Sequence, residues 1–305
     1  MADGVHGAQP RGRLAHLVVR SRPYGRLSQL GGPTGGRRTS GVTALGVWAP
    51  PTTVGTALEP VVRHRERIRE FVLADACNEG IDEGVCSSAL ALNPVGPDVR
   101  LYVLVGPGRS NASAAGWGDR GLAFVWLENW LGHGATGGEL QDLELKLLPI
   151  AVSHELAHAL RYALPGTTSL LRRMNVAGPE AIWDARISLP LREVMYDEGL
   201  ATRFSRDAFP DLSIADSLLM NVEQVAWLDE HWIQLLADRK RRWNLDQSNP
   251  PMDWFIDGLA HVPARSRPPW TLERPPAKWA YYVGLKWAEQ SQGDWSRRLR
   301  SSPPA

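Results

Sequence analysis

The residues best suited to chemistry lie in one short segment, His154-Glu-Leu-Ala-His158, among apolar and small neighbours. Residues four apart on an α-helix lie on the same face, with Cβ atoms about 5–6 Å apart. Two imidazoles placed in this way can bind one metal ion at about 2.0–2.1 Å. Glu155 lies about 100° further round the helix, where its carboxylate can reach a water molecule beside the ion. The segment therefore predicts a metal site with a general base next to it.

A zinc ion at such a site would support hydrolysis. Zinc lowers the pKa of a bound water to about 7, and Glu155 can take the proton and pass it to a leaving amine. The pattern predicts a zinc-dependent metallopeptidase with one Zn2+ per chain and a peptide or protein substrate. Two alternatives stay open: a zinc hydrolase of a non-peptide amide or ester, and a non-catalytic, metal-stabilised scaffold.

The third protein ligand is predicted to be Glu198. Leu164 stands six residues after His158, which excludes the three-histidine pattern that continues through a glycine. Glu198 falls on the apolar stripe of its helix, where a carboxylate is costly unless it is paired or bound to a cation. Gly199 would let another backbone come close. Asp197 is the competing ligand, and otherwise an acceptor that holds a ligating imidazole. This donor set suits zinc best, although cobalt or manganese could occupy it.

Several further side chains are assigned roles. Tyr281 or Tyr282 could donate a hydrogen bond to the oxyanion, with Tyr281 as the preferred residue. Arg161 is expected to favour the C-terminal end of its helix, and not to contact the substrate or the glutamate ligand. His133 and His231 are not expected to be ligands.

The segments His154-Glu-Leu-Ala-His-Ala-Leu-Arg161 and Glu198-Gly-Leu-Ala201 resemble bacterial predicted zinc-dependent proteases of the YjaZ type, a group related to the gluzincins. Trp279-Ala-Tyr-Tyr-Val-Gly284 is similar to a segment of that family that contains Gly and Tyr, with Ala280 where Gly is common. The similarity extends from the strand near Val99 to the C-terminal helix. The resemblance implies a zincin-like fold, with Glu155 as the general base. It implies three zinc ligands, which are His154, His158 and Glu198.

The hydrophobic pattern predicts a helix and two strands ahead of this motif. Apolar residues three and four apart predict a helix from Val54 to Ala76. Apolar runs bounded by Gly and Pro predict strands at Val99–Val105 and Gly121–Glu128. The stretch Arg109–Arg120, rich in Gly, Ser and Asn, is interpreted as a loop. Gly121–Trp126 is expected to be the sheet edge along which an extended peptide pairs.

The active-site helix begins in a segment with two possible starts. Thr136 and Glu139 form a capping-box pattern, and a helical pattern follows from Leu140 to Leu160. Pro149 lies inside it. This proline either kinks one long helix or occupies the first turn of a separate active-site helix.

The second half of the chain is predicted to be mainly helical. Helices are expected at Leu191–Ser205, within Ile214–Trp243 and at Ala277–Gln290, with an irregular proline-rich stretch at Asn249–Pro276. The predicted fold class is therefore α+β and zincin-like, with a small β-sheet packed on the active-site helix, followed by a mainly helical C-terminal subdomain.

The domain organisation follows from composition. Residues 1–46 are rich in arginine, glycine and serine without periodicity, which is typical of a disordered tail; a basic docking arm is the alternative. Residues 47–305 are expected to form the zincin-like metalloprotease domain. Within it, residues 47–165 hold the sheet and active-site helix, and residues 166–305 form the helical subdomain.

The overall composition is typical of a soluble globular protein: 43% hydrophobic, 22% charged, with a net charge of +1 over 305 residues. This balance gives no electrostatic reason to expect nucleic acid or an anionic membrane as partner. The N-terminal segment lacks the pattern of an export signal, so a cytoplasmic protein is expected. Cys77 and Cys86 are interpreted as two reduced thiols in or near a loop. No pattern predicts an oligomeric state.

Overall fold

The computed structural model describes residues 54–92, 98–106, 111–117, 120–164, 189–239 and 269–304. The predicted tail at 1–46 and most of the predicted irregular stretch Asn249–Pro276 lie outside these ranges. No helix in the described ranges is long and apolar enough to cross a membrane.

Nine α-helices and three strands occur in the described residues, which confirms the α+β class. The helices are α1 Val54–Arg63, α2 Arg65–Leu73, α3 Asp75–Leu92, α4 Leu148–Ala163, α5 Leu191–Ala208, α6 Ile214–Leu218, α7 Val222–Arg239, α8 Trp279–Gln290 and α9 Trp295–Arg298. The strands are β1 Asp98–Leu104, β2 Ala112–Trp117 and β3 Arg120–Trp126.

The three strands form one mixed sheet in the order β1-β3-β2, with β1 parallel and β2 antiparallel to β3. The predicted strands are confirmed as β1 and β3. Strand β2 lies in the stretch Arg109–Arg120, so the interpretation of that stretch as a loop is wrong. Ala114 and Ala115 are buried in the core, and this burial outweighs the weak strand propensity of small residues.

The added strand also corrects the expected peptide-binding edge. Because β3 bonds β1 on one side and β2 on the other, Gly121–Trp126 is the central strand and not an edge. The hydrophobic pattern did not indicate this pairing, since the partner strand lies in the stretch interpreted as a loop.

Helix α4, which carries His154 and His158, begins at Leu148, with Pro149 in its first turn. The second of the two possible starts is therefore correct. Proline is tolerated there because the first-turn N–H groups have no partner within the helix. The capping-box prediction is wrong: Glu139 contacts Arg63 and His64 instead of capping a helix, and the chain enters α4 through a 3-10 turn at Leu145–Leu147.

The predicted helix Val54–Ala76 is divided into α1 and α2, and α3 begins at Asp75 after an extended residue, Ala74. Both cysteines lie on α3, so their placement in or near a loop is wrong. Cys77 is buried and Cys86 is exposed, and both are free thiols. Burial raises the pKa of Cys77 to about 11, which makes this thiol unreactive at neutral pH.

Helix α4 lies between two hydrophobic clusters and contributes to both. One face packs with the sheet and α3, through Leu148, Val152, Leu156, Ala159 and Tyr162. The other face packs with α5, α7 and α8, through Ala157 and Leu160. Because both faces are held, the side chains of α4 are fixed relative to the sheet and to the helical half.

At three glycines, the backbone of a neighbouring element occupies the space that a Cβ atom would need. A Cβ on Gly121 of β3 would lie 2.0 Å from the carbonyl oxygen of Ala159 on α4. A Cβ on Gly199 of α5 would lie 1.9 Å from the carbonyl carbon of Gly284 on α8. A Cβ on Gly284 would lie 1.8 Å from the carbonyl oxygen of Met195. The close approach expected at Gly199 is confirmed, and its partner is α8.

We expect Gly284→Ala to lower the free energy of unfolding by about 1–3 kcal/mol or more, because the added methyl must push α8 away from α5. Urea unfolding followed by tryptophan fluorescence measures this. Gly80→Ala on α3 is the matched control. Its Cβ would meet Leu148 at an ordinary 3.5 Å. Because alanine loses less backbone entropy on folding than glycine, the substitution should raise the free energy of unfolding by about 0.5–1 kcal/mol. Equal effects of the two substitutions would contradict the packing account.

Candidate metal centre

Helices α4 and α5 bring three potential metal-binding atoms together. His154 Nε2 lies 3.1 Å from His158 Nε2 and 3.1 Å from Glu198 Oε2. His158 Nε2 lies 3.2 Å from Glu198 Oε2. The three atoms form a nearly equilateral triangle, and in the described part of the chain this is the one such group of three that could hold a metal ion.

The triangle fits a tetrahedral ion. Ligands at about 2.0–2.1 Å from a tetrahedral centre are separated by about 3.3–3.4 Å, close to the three observed separations. Two imidazole nitrogens and one carboxylate oxygen are a donor set that suits zinc. Three protein atoms leave the fourth tetrahedral position for another ligand, which is the arrangement of catalytic zinc sites.

Local structure explains why these atoms converge. His154 and His158 are one turn apart on α4, and their rings meet edge to face with centroids 4.8 Å apart. Glu198 arrives from α5, next to the glycine contact between Gly199 and Gly284. Its side chain is only 4% exposed. A carboxylate this deeply buried needs a cationic partner.

Asp197 holds His158 from the opposite side of the ring. The Nδ1 atom of His158 lies 3.0 Å from Asp197 Oδ2, and the hydroxyl of Tyr162 donates to the same oxygen at 2.5 Å. A hydrogen bond from Nδ1–H leaves the Nε2 lone pair directed at the triangle. This is the acceptor role predicted for Asp197, and Glu198 is the carboxylate that points to the two imidazoles.

The electrostatics of this group are dominated by buried charge. Burial disfavours a charged His158, but the Asp197 and Glu198 carboxylates outweigh it and raise the pKa of His158 to about 10. Burial would raise the pKa of Asp197, yet His158 and Arg161 lower it below the usual value. In the metal-free protein His158 is therefore a charged imidazolium, with a second proton on Nε2 that a metal ion must displace.

Arg161 lies in the last turn of α4, which confirms its predicted place at the C-terminal end of the helix. It is also 1% exposed, which the sequence did not indicate. Its Nε lies 3.0 Å from Asp197 Oδ1, and its Nη2 donates to the carbonyl of Ser301 at 3.2 Å. The reason is tertiary: α5 and the C-terminal segment cover the last turn of α4.

The role of Tyr162 as a partner of Asp197 was also missed. Its i+4 spacing from His158 was the sequence feature that could have indicated it.

Of the two residues predicted to act in catalysis, Tyr281 is the one that a ring contact places beside the triangle. Glu155 is partly exposed on α4, next to His154 in the chain. The ring of Tyr281 on α8 lies 6.4 Å from the ring of His154. Tyr282 instead is buried and donates to Asp229, and burial with this hydrogen bond raises its pKa. Of the two tyrosines, Tyr281 is therefore the one beside the site.

The remaining histidines considered from the sequence lie elsewhere. His133 is exposed and pairs with Glu144 at 3.2 Å. His231 stacks on Trp227 with ring centroids 4.2 Å apart. Neither belongs to the group around Glu198, within the part of the chain that the structure describes.

Comparisons of the chain with protein-family models, with curated proteins and with solved structures give no match. The site is therefore interpreted from its own geometry and chemistry.

The raised pKa of His158 predicts a pH dependence of stability in metal-free protein. Because the folded-state pKa of about 10 exceeds the usual value of 6.5, the proton stabilises the fold fully below pH 6.5. This stabilisation is lost as the pH rises toward 10. Urea unfolding of chelator-treated protein between about pH 6.5 and 7.5 should show the start of this decline, below the range in which the cysteine thiols of the unfolded chain ionise.

The control for this pH series is His158→Gln, which has no group that titrates at that position. Its stability should change less across the same pH range. An equally steep decline in His158→Gln would assign the effect to other groups.

Proposed function

We propose that the protein is a zinc-dependent metallopeptidase of zincin-like fold. The observation that carries this proposal is the triangle of His154, His158 and Glu198, whose edges of 3.1–3.2 Å fit one tetrahedral ion. A half-exposed carboxylate, Glu155, follows the first of these residues on the same helix. Ligands and base together are what hydrolysis by activated water requires.

The chemistry that zinc supplies when bound is Lewis acidity, which activates water near neutral pH and polarises a carbonyl group. The residues of the chain supply the rest. Glu155 accepts the proton of the attacking water and delivers it to the leaving amine. Tyr281 donates a hydrogen bond to the oxygen of the scissile carbonyl. Asp197 keeps the ring of His158 in the orientation that presents Nε2.

Differences in burial within the site favour an enzyme over a scaffold. The side chains of His158 and Glu198 are each 4% exposed, whereas that of His154 is 15% exposed. Glu155 and Tyr281 are also partly exposed. Structural zinc sites are closed by four protein ligands, while catalytic sites keep one position open. Here three potential ligands are present, and the partly exposed Tyr281 lies near the most exposed of them, His154.

The order of elements supports the zincin-like assignment. A small sheet precedes and packs on the helix that carries both histidines, and the glutamate follows on the next described helix. The resemblance to YjaZ-type proteases and gluzincins is proposed on the same residues, with Glu198 as the third ligand. Proton delivery by Glu155 suits an amide, whose leaving amine must be protonated, and the resemblance to these proteases is what makes a peptide bond the proposed target.

Metal analysis tests the ligand set. Purified wild-type protein should hold one zinc ion per chain, and Glu198→Ala should lose most of it. Removal of a residue that only hydrogen-bonds a ligand typically weakens metal binding by about 10–100-fold. Loss of a direct ligand should weaken zinc binding by more than this. Glu155→Gln should retain full zinc and serves as the folding control. Full zinc in Glu198→Ala would move the third ligand elsewhere, and folded wild type without metal would exclude the zinc enzyme.

Turnover tests the role of Glu155 separately. Glu155→Gln should keep its zinc but lower kcat on a cleaved peptide by about 10²–10⁴-fold, the usual contribution of a general base. A peptide library compared with panels of small amides and esters separates a peptidase from a hydrolase of other acyl groups. Undiminished turnover in zinc-loaded Glu155→Gln would contradict the proposed mechanism.

A further inference from the structure

A line of contacts connects the metal centre to the C-terminal segment. His158 contacts Asp197, Asp197 contacts Arg161 on its other carboxylate oxygen, and Arg161 donates to the backbone carbonyl of Ser301. Ser301 follows α9 and lies far from the histidines in sequence. Nothing in the proposed chemistry requires Arg161 or Ser301, so the burial of Arg161 and its contact with Ser301 need their own explanation.

The end of the chain is firmly attached at this point. Trp295 and Leu299 are buried in the helical cluster, and Trp295 packs edge to face on Phe204 with ring centroids 4.9 Å apart. The hydroxyl of Tyr196 lies 2.7 Å from Ser301 Oγ, and the guanidinium carbon of Arg161 lies 5.5 Å from the centre of the Tyr196 ring. The guanidinium is therefore held by a backbone carbonyl and by an aromatic face as well as by Asp197.

We propose that Arg161 is a positioning residue for the metal centre: anchored by the backbone of Ser301, it fixes the Asp197 carboxylate in the orientation that aims His158 at the metal. The inference rests on the proposed metal site. It adds the C-terminal segment to the parts of the chain on which metal binding depends.

The geometry gives the reason. Asp197 uses Oδ2 for His158 and Tyr162 and Oδ1 for Arg161. The contact at Oδ1 is an ion pair without hydrogen-bond geometry, because neither Asp197 Oδ1 nor Arg161 Nε has a hydrogen-bond partner in the described residues. Its attraction opposes rotation of the carboxylate about its last side-chain bond. Without the guanidinium, the carboxylate is held through one oxygen and turns more easily, which loosens the ring of His158. Outer partners of this kind affect metal affinity by about 10–100-fold when they are removed.

A second role for Arg161 must be separated from this one. The buried carboxyl of Glu193 lies one turn before Asp197 on α5, and Arg161 acts electrostatically on it, against the burial that raises the pKa of Glu193. If Arg161 only neutralised buried charge, its removal would destabilise the fold whatever residue stood at position 197. A double-mutant cycle between positions 161 and 197 separates the two roles.

The experiment measures the zinc dissociation constant by chelator competition, on variants whose folding is checked by circular dichroism. Arg161→Gln should raise this constant about tenfold, and Arg161→Lys should restore part of the loss. In the Asp197→Asn background, Arg161→Gln should change the constant by less than about twofold, because the residue through which Arg161 acts is altered.

Arg203→Gln is the matched control. Arg203 also lies on α5 and donates to backbone carbonyls, those of Ala288 and Ser291, with no recorded contact to Asp197 among the described residues. Its loss should lower the melting temperature of the metal-free chain and leave the zinc dissociation constant within about twofold of wild type. A tenfold change in this control would overturn the assignment to Arg161.

If Arg161→Gln does not fold, Tyr196→Phe carries the test. It removes the hydroxyl that bonds Ser301 and keeps the ring beside the guanidinium; the zinc dissociation constant should rise about two- to fivefold. An unchanged constant in folded variants, or an equal change in the Asp197→Asn background, overturns the inference alone. Wild type that binds no zinc overturns the proposed function and the inference with it.

Discussion

The structure depends on the burial of two adjacent carboxylates, Asp197 and Glu198, in the interface between α4 and α5. Moving an ionised carboxylate out of water costs several kcal/mol unless a cation and hydrogen bonds compensate. His158 compensates both carboxylates, because its Nδ1 lies against Asp197 and its Nε2 against Glu198. In addition, Asp197 meets Arg161 and Tyr162, and Glu198 meets the Nε2 of His154. Two anions on successive residues therefore share one imidazole between them, and the surrounding elements supply a further partner to each.

Close backbone approach is a second feature of the packing around the site. Gly199 of α5 lies against Gly284 of α8, so these two helices approach within the space a Cβ would occupy. The same contact places Tyr281, one turn before Gly284, beside His154. On the other side of α4, Gly121 allows β3 to touch the helix backbone at Ala159. Glycines thus set how closely α8 packs on α5 and β3 packs on α4.

What could be predicted from the sequence was local, and what could not was tertiary. The spacing of His154 and His158 is enough to predict that their side chains are neighbours, because residues i and i+4 share a helical face. A buried role for Glu198 followed from one carboxylate on an apolar stripe. Strand β2 was missed because it is stabilised by packing and not by propensity. The burial of Arg161 was missed because its partners, Asp197 and the Ser301 carbonyl, come from distant parts of the chain.

The site has an inner and an outer side, and this difference decides what each residue can do. On the inner side, His158 is held through Nδ1 by Asp197, with 4% of each side chain exposed, so its ring has no freedom to follow a substrate. On the outer side, His154 is more exposed and lies near Tyr281. The proposed hydrolysis requires precision in the ligands and access for a substrate. One rigid, charge-compensated side and one more exposed side are consistent with both requirements, whereas a fully enclosed group of the same residues would only stabilise the fold.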